Sequence, residues 1–215
     1  MFSLALFHKQ YETDSTEVAV WEKRFRFLVP KSIDRFIDPG DPLLDFPLWS
    51  KIWPASVVLA ETLVHLKSNP LMRFLEIGAG MGVVSIVATH WGHNFTLTEY
   101  DEHALNFARA NAFINKCPNL VVKRLDWNKP DLQDSFDYIV GSEILYKQEY
   151  FQPLKTLFKT LLKPAGQVIL AGEIRKHDRS FYKAMEPLFK LRIQRKVLST
   201  EYESIRIYIM NMQFK

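Results

Sequence analysis

The sequence holds a single cysteine, Cys117, in 215 residues, which rules out an intrachain disulfide. Ahead of Pro118 in a turn, it reads as a small buried hydrophobe, with a reactive thiol the lesser alternative. Long apolar runs are missing as well, and nothing approaches the ~20 residues that span a bilayer. The opening MFSLALFHKQ lacks a basic leader and the full apolar core of a signal peptide, so cytoplasmic residence with no membrane partner is expected. His90 and His93 flank Gly92 with no cysteine or carboxylate cluster beside them. They read as turn residues, and no metal is expected. Repeats and low-complexity tracts are absent. The charge imbalance is small, +4 with a pI near 9.0, which indicates affinity for acidic surfaces without identifying a partner. The basic run Lys190 to Lys196 has no interleaved aromatics, so a nucleic-acid platform is disfavoured. Alternation puts Arg192 and Gln194 on one face of a strand there and Leu191 and Ile193 on the other, and the basic face reads as solvated.

What is present is a globular composition, 47% hydrophobic and 13% aromatic, which excludes a disordered chain. The length suits one sizeable core. Residues 1–48 are expected to form an extension of strand and loop cover, and residues 49–215 the main domain. The stretch Arg73 to Gly82, RFLEIGAGMG, organises the rest. Phe74, Leu75 and Ile77 end at a cluster of glycines, and Val83, Val84, Ile86, Val87 and Ala88 resume at helical spacing: strand, tight turn, helix. Gly78, Gly80 and Gly82 carry no Cβ and permit positive φ, so a ligand can lie against the backbone. The alternative is a flexible turn and nothing more. A dinucleotide fingerprint is disfavoured because Val83 stands where its third glycine belongs. Glu76 would repel a pyrophosphate but suits a cationic ligand.

Glu76-x-Gly78-x-Gly80-x-Gly82 resembles the glycine-rich motif of the seven-strand S-adenosylmethionine-dependent methyltransferases. Trp53-Pro54-Ala55 and the segment around it, Trp49 to Leu59, resemble the pre-core motif of methyltransferase family 16, which contains protein-lysine methyltransferases and relatives named for nicotinamide methylation. The resemblance implies an α/β fold: a Rossmann-like seven-strand sheet, mostly parallel with an antiparallel C-terminal strand, and helices on both faces. It also implies S-adenosyl-L-methionine as donor, S-adenosyl-L-homocysteine as product, and Trp53 beside the cofactor. Core filling between the extension and the sheet is the other reading of Trp49 and Trp53.

In chain order, Val18 to Val29 reads as one extended segment or hairpin strand closed by Pro30, and Lys31 to Pro47 as loop. Pro54 opens a helix through Val58, Leu59, Leu63 and Leu66. The helix after the glycine loop stops at Gly92. The strand Asn94–Glu99 ends on an acid about 20 residues beyond the loop, the place that accepts hydrogen bonds from ribose hydroxyls. Tyr100 follows it, and Asp101 caps the next helix. A third strand, Asn119 to Leu125, leads to Asp126 and Trp127. The resemblance implies that these hold the adenine, the acid through its exocyclic amine, whereas an Asx turn with a packing tryptophan is the plainer account.

A fourth strand, Ser135 to Gly141, runs into Ser142, Glu143 and Tyr146. Glu143-x-x-Tyr146 resembles the acidic-x-x-aromatic motif of the family's lysine methyltransferases. It lacks the prolines of the nucleic-acid amino-methyltransferases, so a flipped base is disfavoured. The implied activity is N-methylation of a protein lysine, with Glu143 and Tyr146 at the acceptor and Trp53, Glu76, Gly78, Ala79, Gly80, Gly82, Glu99, Tyr100, Asp126, Trp127 and Ser142 at the cofactor. A small amine or heterocycle as acceptor is the alternative, and a non-catalytic cofactor-binding module the third. The remainder is scaffold: a helix opening at Pro153, a turn at Pro164-Ala-Gly166 into the strand Gln167 to Gly172, a helix from Phe181 to Phe189, and an antiparallel pair, Leu191 to Leu198 with Ser204 to Met212.

Overall fold

Pro54 stands at the first position of a helix whose Ala55, Val58, Leu59 and Leu63 are fully buried, and this helix and the glycine-loop helix cover one side of a central sheet. The computed structural model describes residues 2–37, 40, 46–174, 178–199 and 204–215. Its helices are α1 (Leu4–Gln10), α2 (Pro54–Val64), α3 (Val83–Thr89), α4 (Glu102–Ile114), α5 (Phe151–Leu161) and α6 (Asp178–Met185). Its strands are β1 (Thr13–Val20), β2 (Lys23–Pro30), β3 (Arg73–Glu76), β4 (Asn94–Glu99), β5 (Val121–Arg124), β6 (Phe136–Ser142), β7 (Leu162–Glu173), β8 (Phe189–Ser199) and β9 (Ser204–Phe214).

Seven strands form one sheet in the order β5-β4-β3-β6-β7-β9-β8. β5, β4, β3, β6 and β7 run parallel, and β9 lies antiparallel between β7 and β8. Alternation along the inner strands divides the core. Phe74, Val140 and Ile169 face α2 and α3, while Leu75, Ile139 and Leu170 face Leu154, Leu157 and Phe158 of α5 and Phe181 and Met185 of α6. Burial on both sides is what parallel strands demand. Among the described residues no helix is long and apolar enough to cross a membrane.

Four local readings change. The segment expected as one extended run or a hairpin strand holds parts of both arms of a two-strand hairpin, β1 with β2, turning at Trp21 in the left-handed region (φ 54°). The helix expected to open at Pro153 begins two residues earlier, with the proline in its first turn, where a missing N–H costs nothing. Pro164-Ala-Gly166 lies inside β7, which starts at Leu162, and its turn chemistry is absorbed by a register shift opposite Phe136 and Tyr138. The last helix runs Asp178–Met185, and Phe189 opens β8 instead of closing that helix.

The hairpin and α1 pack on α4: Phe7, Tyr11 and Leu28 bury themselves with Phe107 and Ala110. Asn111, fully buried, accepts from the Leu28 N–H at 2.7 Å and donates to the Leu28 and Met81 carbonyls. Cys117 is buried beneath Val18 and Phe27, and that burial pushes its thiol up to about 11. A neutral, enclosed thiol fills space and does not attack.

Candidate active site

The C-terminal tips of β3, β4, β5 and β6 meet at one end of the sheet, where open parallel sheets place their ligands. The glycine loop is pinned there by backbone bonds from the Ile77 N–H to Val140 and from the Ala79 N–H to Thr98. Gly78 and Gly82 show why side chains are excluded. Each has positive φ, 60° and 85°, and a Cβ would stand 2.9 Å from Ile144 Cγ2 at the first and 2.7 Å from Leu97 Cδ1 at the second. The same imaginary atom on Gly78 falls 3.3 Å from the Trp127 ring. The loop is thus pressed against the β5 and β6 tips, and Gly82 begins α3 in the left-handed conformation.

A cavity of about 800 Å³ opens beside this loop. Among the residues singled out in the sequence, Trp53, Gly78, Ala79, Gly80, Glu99, Tyr100, Asp126, Trp127, Ser142, Glu143 and Tyr146 line it. Glu76 and Gly82 do not. Phe36, Met81, Asn128, Lys51, Lys147 and Tyr150 also line it and carried no signal of their own. Only Tyr150 was within reach of pattern, four residues beyond Tyr146, with the two rings edge to face at 5.2 Å.

Each polar group here has a defined setting. Glu99 Oε2 accepts from the Gly80 N–H at 2.8 Å, and Oε1 accepts from the Tyr100 and Asp101 N–H groups. Burial raises its carboxyl above the ordinary range, against the pull of those three donors. Asp126 Oδ1 accepts from the backbone and side chain of Asn128, each at 2.9 Å, so the Asx turn is real even though the residue faces the cavity. Trp127 packs against Tyr150. The Trp53 indole N–H donates to the Leu48 carbonyl at 2.8 Å, which fixes its ring at the cavity wall. Trp49 packs on Phe36 and Phe107, and its backbone backs Gly80. Glu143 has positive φ, 55°, and its Oε1 accepts from the Glu173 N–H at 2.9 Å. Burial, then Tyr150, raises the Tyr146 phenol above its ordinary value, so it is protonated at neutral pH.

A family model described as lysine methyltransferase matches residues 48–187. The chain belongs to that family. Protein N-lysine methyltransferase METTL21A of Danio rerio is 35% identical over 167 residues, 72% of each chain. Histone-arginine methyltransferase METTL23 of Homo sapiens is 31% identical over 138 residues, 60% of this chain and 73% of that protein. Among solved structures, magnesium protoporphyrin IX methyltransferase (ChlM) from Synechocystis PCC 6803 with bound SAM superposes with a TM-score of 0.59 at 17% identity, over 74% of this chain and 77% of that one. That likeness is one of fold. The protein is an S-adenosylmethionine-dependent methyltransferase with the Rossmann-like seven-strand sheet, and its cavity fits the donor. The cavity volume lies in the range of small-molecule sites. Substituting any Cβ-bearing residue at Gly78 would collide with Ile144, and a carboxylate, Glu99, stands at the β4 tip.

Glu76, the first residue of the methyltransferase motif, sits behind the loop. It is 1% exposed, and its Oε2 accepts from the Ser85 N–H at 2.9 Å and from the Ser85 hydroxyl. Burial raises its carboxyl to about 8. Between the ordinary glutamate range and that value the folded protein keeps a proton that the unfolded chain has released, so stability falls as pH rises through this window. Glu76→Gln keeps an acceptor for Ser85 and is expected to flatten the fall. Melting temperatures of the ligand-free protein and the variant from about pH 5 to about pH 8 check this.

Proposed function

We propose that the protein transfers a methyl group to the side-chain nitrogen of a lysine in a protein substrate. The observation that carries the reading is a carboxylate and a phenol, Glu143 and Tyr146, lining the donor cavity at the tip of β6 beside the aromatic surfaces of Trp127 and Tyr150. The family's description and the lysine-directed name of the METTL21A relative support it.

S-adenosylmethionine, when bound, supplies an activated methyl on a positively charged sulfur. In this reading Glu99 takes the ribose hydroxyls, Asp126 the exocyclic amine of the adenine, Trp127 its ring, and Trp53 a flat wall for the sulfonium. Ala79, Gly80, Tyr100 and Ser142 complete the lining, while Glu76 and Gly82 act from behind by fixing the loop. What remains for the chain is alignment and exclusion of water. A lysine amine attacks only when neutral, although its ordinary pKa is ~10.4. Aromatic, half-buried walls favour the neutral form, and Glu143 orients the incoming ammonium. Tyr146, held protonated, serves as wall and hydrogen-bonding partner and not as a base. In this reading the described part of residues 1–48 covers the domain of residues 49–215, and the lone buried thiol suits a cytoplasmic protein.

Incubation of the pure protein with labelled donor and a cell extract, followed by mass spectrometry, tests the reading. Label on lysine side chains of proteins is expected. The METTL23 relative, named for histone arginine, makes arginine the second reading. Label on arginine, or only in the low-mass fraction, overturns lysine as acceptor.

A further inference from the structure

The outer pair of strands, β9 and β8, is covered by helix for only half its length. On the α5–α6 side, Phe189 is fully buried and Leu191 packs partly against the same core, but the residues that continue this face are open. Ile193 is 39% exposed and Val197 59% exposed. Between them stands Arg195, and Val197 pairs across the ladder with Arg206. Ile174, 44% exposed, adjoins this face through its N–H bond to the Arg206 carbonyl. An apolar-basic block so formed lies at the active-site end of the sheet, because β8 runs parallel to β7 and Lys196 and Glu173 both pair with Ile207. On this face β8 and β9 carry Arg195 and Arg206 and no carboxylate, while Lys190, Arg192 and Lys196 alternate to the opposite face. None of these cations makes an ion pair among the described residues.

The block is physically continuous with the acceptor residues. Glu173, whose N–H holds the Glu143 carboxylate, is the neighbour of Ile174. From Glu143 to Arg195, which lies straight across the sheet between Ile193 and Val197, are three strand spacings, about 14 Å at ~4.8 Å each. An extended peptide covers that with about four residues.

We propose that the exposed half of the β8–β9 pair is a docking surface for the protein substrate, taking an acidic segment with an apolar side chain that lies about four residues from the methylated lysine. The proposal rests on the protein-lysine reading above. Charge complementarity selects the acidic occupant, and Ile174, Ile193 and Val197 give it an apolar seat. The unpaired outer edge of β8 offers backbone donors and acceptors to an extended chain.

The test measures methyl label incorporated into the proteins of a membrane-free, nuclease-treated extract by wild type, by Arg195→Glu/Arg206→Glu and by Arg195→Ala/Arg206→Ala. The reversed pair is expected to label about tenfold more slowly and the alanine pair about threefold. Both should approach the wild-type rate as extract concentration is raised, and S-adenosylhomocysteine affinity by calorimetry should be unchanged. Added salt should slow the wild type, leave the alanine pair nearly unaffected and speed the reversed pair. Labelling by the variants equal to wild type overturns the docking surface and leaves lysine methylation standing. An effect that appears only without nuclease, or only with added phosphatidylserine vesicles, overturns a protein occupant. No label on protein from the wild type overturns both readings at once.

Discussion

Glu143→Ala is expected to slow methyl transfer by about a thousandfold while leaving S-adenosylhomocysteine affinity within about twofold. The carboxylate lines the cavity at the tip of β6, and it is held in place by the Glu173 N–H. Its backbone lies in the left-handed region, a conformation that costs a non-glycine residue about 1 kcal/mol and that aims the side chain toward the cavity at the strand end. Alanine also deletes the bond from Glu173, a stability loss of about 1 kcal/mol that a melting curve separates from the rate. Glu143→Gln keeps an acceptor for that N–H and removes the charge. If charge orients the incoming amine, the glutamine variant keeps its melting temperature and loses most of the rate. Equal loss of transfer and cofactor affinity in either variant would contradict the acceptor role.

Glu99→Ala is expected to produce the opposite pattern, a loss of S-adenosylhomocysteine affinity of about a hundredfold with the rate at saturating donor largely kept. Three backbone N–H groups, on Gly80, Tyr100 and Asp101, converge on this carboxylate. Removing it strips the glycine loop of its Gly80 tie to β4, leaving the bond from Ala79 to Thr98, as well as removing the acceptor proposed for the ribose, and each orphaned donor costs about 1–3 kcal/mol where water cannot reach it. Calorimetry with the product gives the affinity, and a donor titration at fixed acceptor gives the rate. A variant that binds as wild type does would show that Glu99 serves the loop's fold and not the ligand.

Much of this arrangement is legible in the amino-acid sequence because the inner strands are short and their punctuation is strong. Pro54 at a helix start, glycines at alternate positions, Glu99 and Asp101 two positions apart around a strand end, and an acid followed three positions on by an aromatic after β6 each correspond to one local geometry. The illegible parts depend on tertiary contact. α1 is seven residues long, too short to persist alone, and exists because Phe7 and Tyr11 reach Phe107. Pro164 and Gly166 carry turn chemistry, yet pairing of β7 with β6 overrides it. In the site, Phe36 comes from a stretch with no periodicity and reaches the cavity by packing on Trp49. Glu76 shows the limit of spacing: β3 is buried on both faces, so alternation could not tell whether its carboxylate meets a ligand or Ser85.

The insertion of β9 between β7 and β8 has a consequence for how the chain assembles. β8 is made first but pairs only with β9, so it has no place in the sheet until the later segment has been synthesised and threaded into the gap. Until then β7 presents an open hydrogen-bonding edge with Ile169, Leu170 and Ala171 in its middle, all buried in the finished protein. The β9 of a second nascent chain has the same pairing pattern, so this topology leaves the β7 edge open to strand exchange until the protein's own β9 is in place.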